Sequence, residues 1–260
     1  MMIKFFYCFL LLSIITLKQN AAFAQCCAND FVVKKLIRSG ITTGYQISFY
    51  DAAGFNRYID IYNSKFSSSM VTKMEKFGFG SGFIVGSNLV QFQIDEFLIG
   101  VKASFYQSRE KHTAKRTLLS GGDIEETFDL SITTFGLGIT TSAIVSKRFE
   151  LKFIDALLTW NSAKLVNTYT DPFTTVSKEL TSPRRKLGFN IGAGVTFYTV
   201  PSLLALEALG GYSFLALNKM QFDDGDLLAE NPDGGPAMDN FIIAGGFFAS
   251  LQLLISLNFK

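Results

Sequence analysis

The chain is short of histidine, cysteine, charge and long apolar runs, and each shortage excludes something. A single histidine, His112, leaves no His-based metal site. Of the three cysteines, Cys8 sits in the N-terminal apolar stretch and Cys26 and Cys27 are neighbours, so no framework of long-range disulfides can form. In an oxidising compartment the adjacent pair could bond to each other or to another chain; two incidental cysteines near a terminus is the plainer reading. Charged residues make up 18% of the 260, below the roughly 25% of an average domain. The net charge of +2 comes without a Lys/Arg stripe, so nucleic acid is not an expected partner. A spanning helix needs roughly 20 consecutive apolar residues, and beyond the N-terminal stretch every apolar run is broken by Gly, Ser, Thr, Asn or a charge well before that.

What is abundant is hydrophobicity of another kind: 48% of residues are hydrophobic and 27 are phenylalanine. Without spanning helices, that apolar surface has to be spread over strands with one apolar face each. The N-terminus reads separately. Lys4, an apolar core from Phe5 to Leu17, and the small-x-small triplet Ala22-Phe23-Ala24 predict an export signal over 1–24, with the mature chain starting at Gln25. A lipoprotein signal is the competing reading, since Cys26 follows at once, but Gln25 is a poor neighbour for a lipidated cysteine.

From residue 40 onward the pattern has period two, the mark of a strand whose side chains alternate between faces. In the last segment Phe241, Ile243, Gly245, Phe247, Ala249, Leu251, Leu253, Ile255, Leu257 and Phe259 share one face, with Gly246, Ser250, Gln252, Ser256 and Asn258 opposite; Phe248 and Leu254 are the exceptions. The rhythm recurs around 41–49, 77–86, 96–105, 135–145 and 187–197, and less tidily over 149–160 and 203–217. It slips near Thr133, where a bulge is expected. Tight links at 146–148 and 200–202, and a longer one around 87–95, alternate with long polar stretches at 51–76, 107–126, 161–186 and 218–239. The expected architecture is all-β: an eight-stranded antiparallel transmembrane β-barrel over 40–260, with ten strands left open. Short periplasmic turns and four long extracellular loops would join the strands, behind a periplasmic segment over 25–39.

A sheet in hydrocarbon must pair every backbone group, and only a closed one has no edge. The phenylalanines, leucines, isoleucines and valines would face lipid, and Gly, Ser, Thr and Asn would fill the interior. Tyr50, Tyr106, Trp160 and Tyr198 fall near strand ends, where an interfacial aromatic belt would place them. A soluble periplasmic binding barrel of the lipocalin kind would show the same alternation with the faces exchanged. It lacks the Gly-x-Trp start of such proteins; the lone tryptophan is Trp160.

The hairpin LGFNIGAGVTFYTVPSLLALEALGGYSFLAL (187–217) and the terminal FFASLQLLISLNFK (247–260) resemble the small outer-membrane barrels of the OmpA/OmpX-like and PorT-like families. The resemblance implies a bacterial outer-membrane location, contact with outer-membrane lipid, and a closing strand read by the insertion machinery. Those families usually end that strand on an aromatic residue; here Phe259 is penultimate and Lys260 last. It implies no particular activity.

Four interior charges stand out: Lys102, Glu150, Lys152 and Glu207. In a narrow lumen they would pair, either as a salt-bridged plug or as a narrow ion path, and eight strands leave room for the plug. His112, beside Ser108, Glu110 and Ser120, admits a rim-active lipid-modifying enzyme, but nothing marks a nucleophile and base as partners. The basic run Arg109, Lys111, Lys115, Arg116 could meet lipid phosphates. The acidic run Asp223, Asp224, Asp226, Glu230, Asp233, Asp239 lacks the spacing of a calcium loop. Gly136–Ser142 lies in a strand with no following helix and is no phosphate-binding turn. The expectation is a non-enzymatic barrel without cofactors, whose loops bind at the surface or serve envelope assembly, with other envelope proteins as partners.

Overall fold

The computed structural model describes residues 38–118, 121–201 and 203–258. The signal over 1–24, Cys8, Cys26, Cys27, the segment 25–39 apart from Arg38 and Ser39, Ser120 and Phe259 lie outside the described residues. Among the latter are eleven strands and one helix: β1 (Arg38–Asp51), α1 (Ala53–Lys65), β2 (Met70–Thr72), β3 (Phe79–Ile94), β4 (Phe97–Thr117), β5 (Asp123–Ser146), β6 (Phe149–Thr170), β7 (Thr175–Thr181), β8 (Lys186–Val200), β9 (Leu204–Phe214), β10 (Gln221–Phe222) and β11 (Ala244–Asn258). Eight of these strands, β1-β3-β4-β5-β6-β8-β9-β11, pair antiparallel in that order, and β11 returns to β1. The ring is closed, so it has no edge to satisfy. β2 joins β4, β7 joins β6 and β10 joins β7 outside the ring.

The pleat runs as the alternation predicts. Ile41, Phe83, Val101, Phe135, Ile139, Phe197 and Leu206 are exposed, while Thr42, Gln46, Ser104, Thr140, Thr196 and Gln252 are buried in the lumen. On β11, Phe247 (69% exposed), Leu251, Leu253, Ile255 and Leu257 all point outward. An exposed apolar belt around a polar interior is the reverse of a lipocalin-like binder, and that reading is overturned. Glycine makes room where the lumen holds a large side chain: a Cβ on Gly192 would lie 3.1 Å from the Phe248 ring.

Several expectations are corrected. The link expected at 87–95 is strand as far as Ile94, and the chain turns at Asp95-Glu96, with Asp95 at φ 51°. The alternation of the last segment does not extend back to Phe241. The β1–β11 register shifts between Ser48 and Tyr50, which leaves Gly245 buried while Phe247 faces out; before the strand, Ile243 is exposed and Phe241 is buried in the core. Three of the four residues assigned to an aromatic belt, Tyr50, Tyr106 and Tyr198, are buried inside; Trp160 stands on the outer side, its ring 6.0 Å from that of the exposed Phe135.

The long polar stretches are also more structured than loops. β4 and β5 pair one to one from Phe97–Ala143 to Thr117–Asp123, with no bulge at Thr133. What changes there is the chemistry of the two faces. Below Thr134, β5 sends Phe135, Leu137 and Ile139 out and Gly136, Gly138 and Thr140 in; above it, Phe128, Leu130 and Ile132 turn in and Asp129 and Ser131 turn out. β6 changes over in the same way, to Ala163 and Leu165 inside. Beyond the lipid the outer surface meets water, so burial again favours apolar residues inside.

That upper interior is filled by α1. Phe55, Ile59 and Tyr62 recur at i, i+4 and i+7, forming one apolar stripe. They join Phe128, Leu130, Leu165, Leu217, Met220 and Phe241 in a buried core. Fully burying Phe55 contributes roughly 1.5–3 kcal/mol. Two asparagines on the helix each bind both backbone groups of one residue in the following segment: Asn56 pairs with Phe77 (2.7 and 2.8 Å) and Asn63 with Met74 (2.9 Å for both bonds). The segment leading into β3 is thereby fixed along the helix.

Candidate functional site: the charged lumen and its rim

Lys102 on β4, Lys152 and Asp155 on β6, and Glu207 on β9 meet in the barrel interior. Lys102 Nζ donates to Asp155 Oδ2 at 2.8 Å and lies 3.4 Å from Glu207 Oε1. Lys152 Nζ donates to Glu207 Oε2 and lies 3.8 Å from Asp155 Oδ2. The four groups form a ring of alternating sign, and β4 and β9 stand opposite one another in the barrel, so the ring bridges the lumen. Lys102 and Glu207 are each only 1% exposed. Taking such charges out of water costs several kcal/mol per ion, recovered only with near-complete pairing; each lysine here touches two carboxylates and each carboxylate two lysines. Glu150 on β6 is also buried, separated from Glu207 on β9 by Thr196 of β8, which is in register with both.

Lys102, Glu150, Lys152 and Glu207 are all buried. Asp155 was not foreseen. Between Lys152 and Asp155, β6 carries one residue more than either neighbouring strand, and Phe153 and Ile154 both face outward. The bulge moves the inward set from even to odd numbers, so strict alternation puts Asp155 on the wrong face. The detectable signal is the pair of consecutive apolar residues flanked by inward polar ones, Lys152 before and Asp155, Thr159 and Asn161 after.

Above the charge ring lies a cavity of ≈ 20 Å³, lined in part by Gln46, Ser48, Tyr106, Ser108, Thr134 and Asn190, space for about one water. Tyr106 hydroxyl donates to the Gln46 carbonyl (3.3 Å) and sits 3.1 Å from Ser48 Oγ. Higher still, Glu110 is a hub. Its carboxylate accepts from Tyr50 hydroxyl, from the backbone N–H of Gly78 (3.1 Å) and Phe79 (3.0 Å), and faces His112 Nε2 at 2.9 Å. It ties the start of β3 to β4, beneath the α1 core.

His112 is held between two carboxylates, with Nδ1 3.1 Å from Glu75 and Nε2 on Glu110, and its ring meets Phe77 edge-on. Both ring nitrogens are engaged, and among the described residues no serine hydroxyl hydrogen-bonds to it; Ser108 faces the lumen one level below. Two cations of the basic run at 109–116 are matched from β5: Arg109 forms a two-bond pair with Asp129 and Lys115 lies 3.3 Å from Glu125, while Arg116 stacks 4.0 Å over Phe66 at the end of α1. In the acidic run, Asp233 pairs with Lys65 and Asp239 with Lys219 (3.0 Å). Among the described residues no three His, Cys, Asp or Glu side chains gather as metal ligands would. On α1, burial foremost, with Glu126 adding to it, pushes the Tyr58 phenol up to about 12 and raises Tyr62, which also bonds to Glu126, so both stay protonated. At the β6–β7 turn, the backbone N–H groups of Phe173 (2.8 Å) and Thr174 (2.7 Å) hold the Asp171 carboxyl below its usual range.

No protein-family model matches this sequence, and no curated protein sequence resembles it. Among solved structures, similarity is found to Ail, the attachment invasion locus protein of Yersinia pestis, solved alone and with the heparin analogue sucrose octasulfate. That match has 15% identity and a TM-score of 0.38, covering 85% of this chain and 99% of Ail. Similarity is also found to Neisserial surface protein A, with 10% identity and a TM-score of 0.33, over 86% of this chain and 97% of that one. From its own closed ring of eight strands, outward apolar belt and polar, filled lumen, the chain is a small β-barrel of the bacterial outer membrane.

Proposed function

We propose that this barrel is a sealed, non-enzymatic anchor, and that its working part is the head above the membrane, which binds at the cell surface or braces an envelope assembly. One observation carries the reading: the interior is closed at two successive levels, first by the Lys102–Asp155–Lys152–Glu207 ring and then by α1 with its apolar core. Closure at both levels serves stiffness. β4, β5, β6 and β7 continue past the belt as one sheet whose inner face packs on the helix, giving a fixed surface for recognition. Lipid packs around the belt. Export through a signal over 1–24 and insertion of β11 by the envelope machinery belong to the same reading, as do other envelope proteins docking on the head.

In planar lipid bilayers the purified, folded protein is expected to show no unitary current steps. Steady, reproducible single-channel steps would contradict a sealed anchor and return the charge ring to the role of an ion path.

A further inference from the structure

His112 is the single histidine of the chain, and it stands between two carboxylates in the head. Nε2 lies 2.9 Å from Glu110 Oε1, and Nδ1 lies 3.1 Å from Glu75 Oε2. An ionised carboxylate only accepts hydrogen bonds, and a neutral imidazole has one N–H to give. Both contacts are hydrogen bonds only when the ring carries both protons, as imidazolium. The two carboxylates are not equal partners. Glu110 is buried and also accepts from the Tyr50 hydroxyl and from the backbone N–H groups of Gly78 and Phe79. The Glu75 side chain is 79% exposed and has no second partner among the described residues. A ring left with one N–H keeps it on the buried carboxylate, where an unmade bond costs more. Its lone pair then faces Glu75, and water takes the place of that contact.

What Glu75 holds is a short arc of backbone. Asn63 fixes Met74 and Asn56 fixes Phe77, each by both backbone groups, so the chain is anchored on either side of Glu75 and Lys76. Between these anchors Lys76 ties the arc to α1 through Asp60 at 2.9 Å, a pair exposed on both sides, and Glu75 ties it to β4 through His112. The other charged groups near the ring are committed elsewhere or face water. On β5 its cross-strand partner is the uncharged Phe128; two residues along, Glu126 accepts from Asn167 at 3.0 Å, and Asp129 is bound to Arg109. On β1, Tyr50 is bonded to Glu110. Arg57 on α1, Lys73 and Lys111 are exposed. The proton count of His112 therefore decides whether the arc is pinned to the sheet.

We propose that Glu75, His112 and Glu110 form a proton-operated clasp on the head. It is closed while His112 is doubly protonated and opens at Glu75 as pH rises through the range where histidine loses its charge, roughly pH 5–8. The clasp gives one spot of the head a response to pH, whether or not the lumen conducts. Its test places a nitroxide at position 76 (K76C in an otherwise cysteine-free chain) in the full-length protein folded into lipid nanodiscs. The label replaces a lysine whose exposed ion pair contributes little. Spectra at about pH 5.5 and about pH 9 bracket the histidine range. With Glu75 and His112 in place, a slow component at the lower pH is expected to be lost at the higher one. H112Q gives one spectrum at both. E75Q keeps the slow component at both, because the glutamine amide donates to the neutral Nδ1 and accepts from the protonated one. Label mobility indifferent to pH with both native residues present overturns the proposal. So does a pH response that survives in H112Q, or loss of the slow component from E75Q at the higher pH.

Discussion

The residue on which the interior depends most is Glu207. It accepts from two lysines, is almost wholly buried, and faces β4 across the barrel. Replacing it by glutamine keeps the shape but leaves Lys102 and Lys152 sharing Asp155. Breaking a buried pair on one side costs about 3–5 kcal/mol, so E207Q is expected to lower the urea midpoint of unfolding in lipid vesicles by a corresponding amount. Removing a neighbouring pair together, as in K152M/E207L, leaves Lys102 and Asp155 matched and is expected to recover most of the loss. A midpoint unchanged in E207Q would mean that the charge ring does not hold the interior. Lys102, Glu150, Lys152 and Glu207 were legible as interior charges because a charge on one face of an alternating strand betrays which face is sheltered. Tyr50, Tyr106 and Tyr198 were not: a tyrosine near a strand end suits an aromatic belt, but here each lies buried inside, with the hydroxyls of Tyr50 and Tyr106 on Glu110 and Gln46.

At the scale of the element, the bulge in β6 decides which residues reach the lumen. The extra residue at Phe153-Ile154 lies opposite both β5 and β8, so both neighbours see the same irregularity. Deleting Ile154 removes the surplus and still leaves Lys152 and Asp155 facing inward, two residues apart. Deleting Ile139, in a stretch of β5 paired one to one with β4, flips every residue on one side of the deletion to the other face. The first deletion is expected to yield a barrel with heat-dependent gel mobility after folding into detergent micelles, and the second none. Equal folding of both would mean that the phase of the pleat is not what fixes the strand. Strand existence was readable throughout the belt, since one face there is apolar without interruption. The extensions of β4, β5 and β6 above it passed for loops because their outer face is polar and their inner one holds small or widely spaced apolar residues such as Ala114 and Ile124. α1 was hidden in a polar stretch whose only helical mark is the trio Phe55, Ile59 and Tyr62.

For the whole molecule, one continuous sheet works in two solvents. Its lower part is turned inside out relative to a soluble protein, with apolar groups outward and charges sealed inside; its upper part is conventional, with an apolar core around a helix. The exchange happens within single strands without a break in pairing, and β5 shows it most clearly, between Thr133 and Thr134.

The most direct test walks a nitroxide spin label along β5 from 125 to 140 in the cysteine-free protein inserted in lipid vesicles, reading collision rates with oxygen, which concentrates in lipid, and with a water-soluble nickel chelate. Positions 135, 137 and 139 should favour oxygen, positions 125, 127 and 129 the nickel reagent, and the even positions neither. Nickel access at 135–139, or oxygen access at the even positions beside them, would contradict a belt that faces lipid.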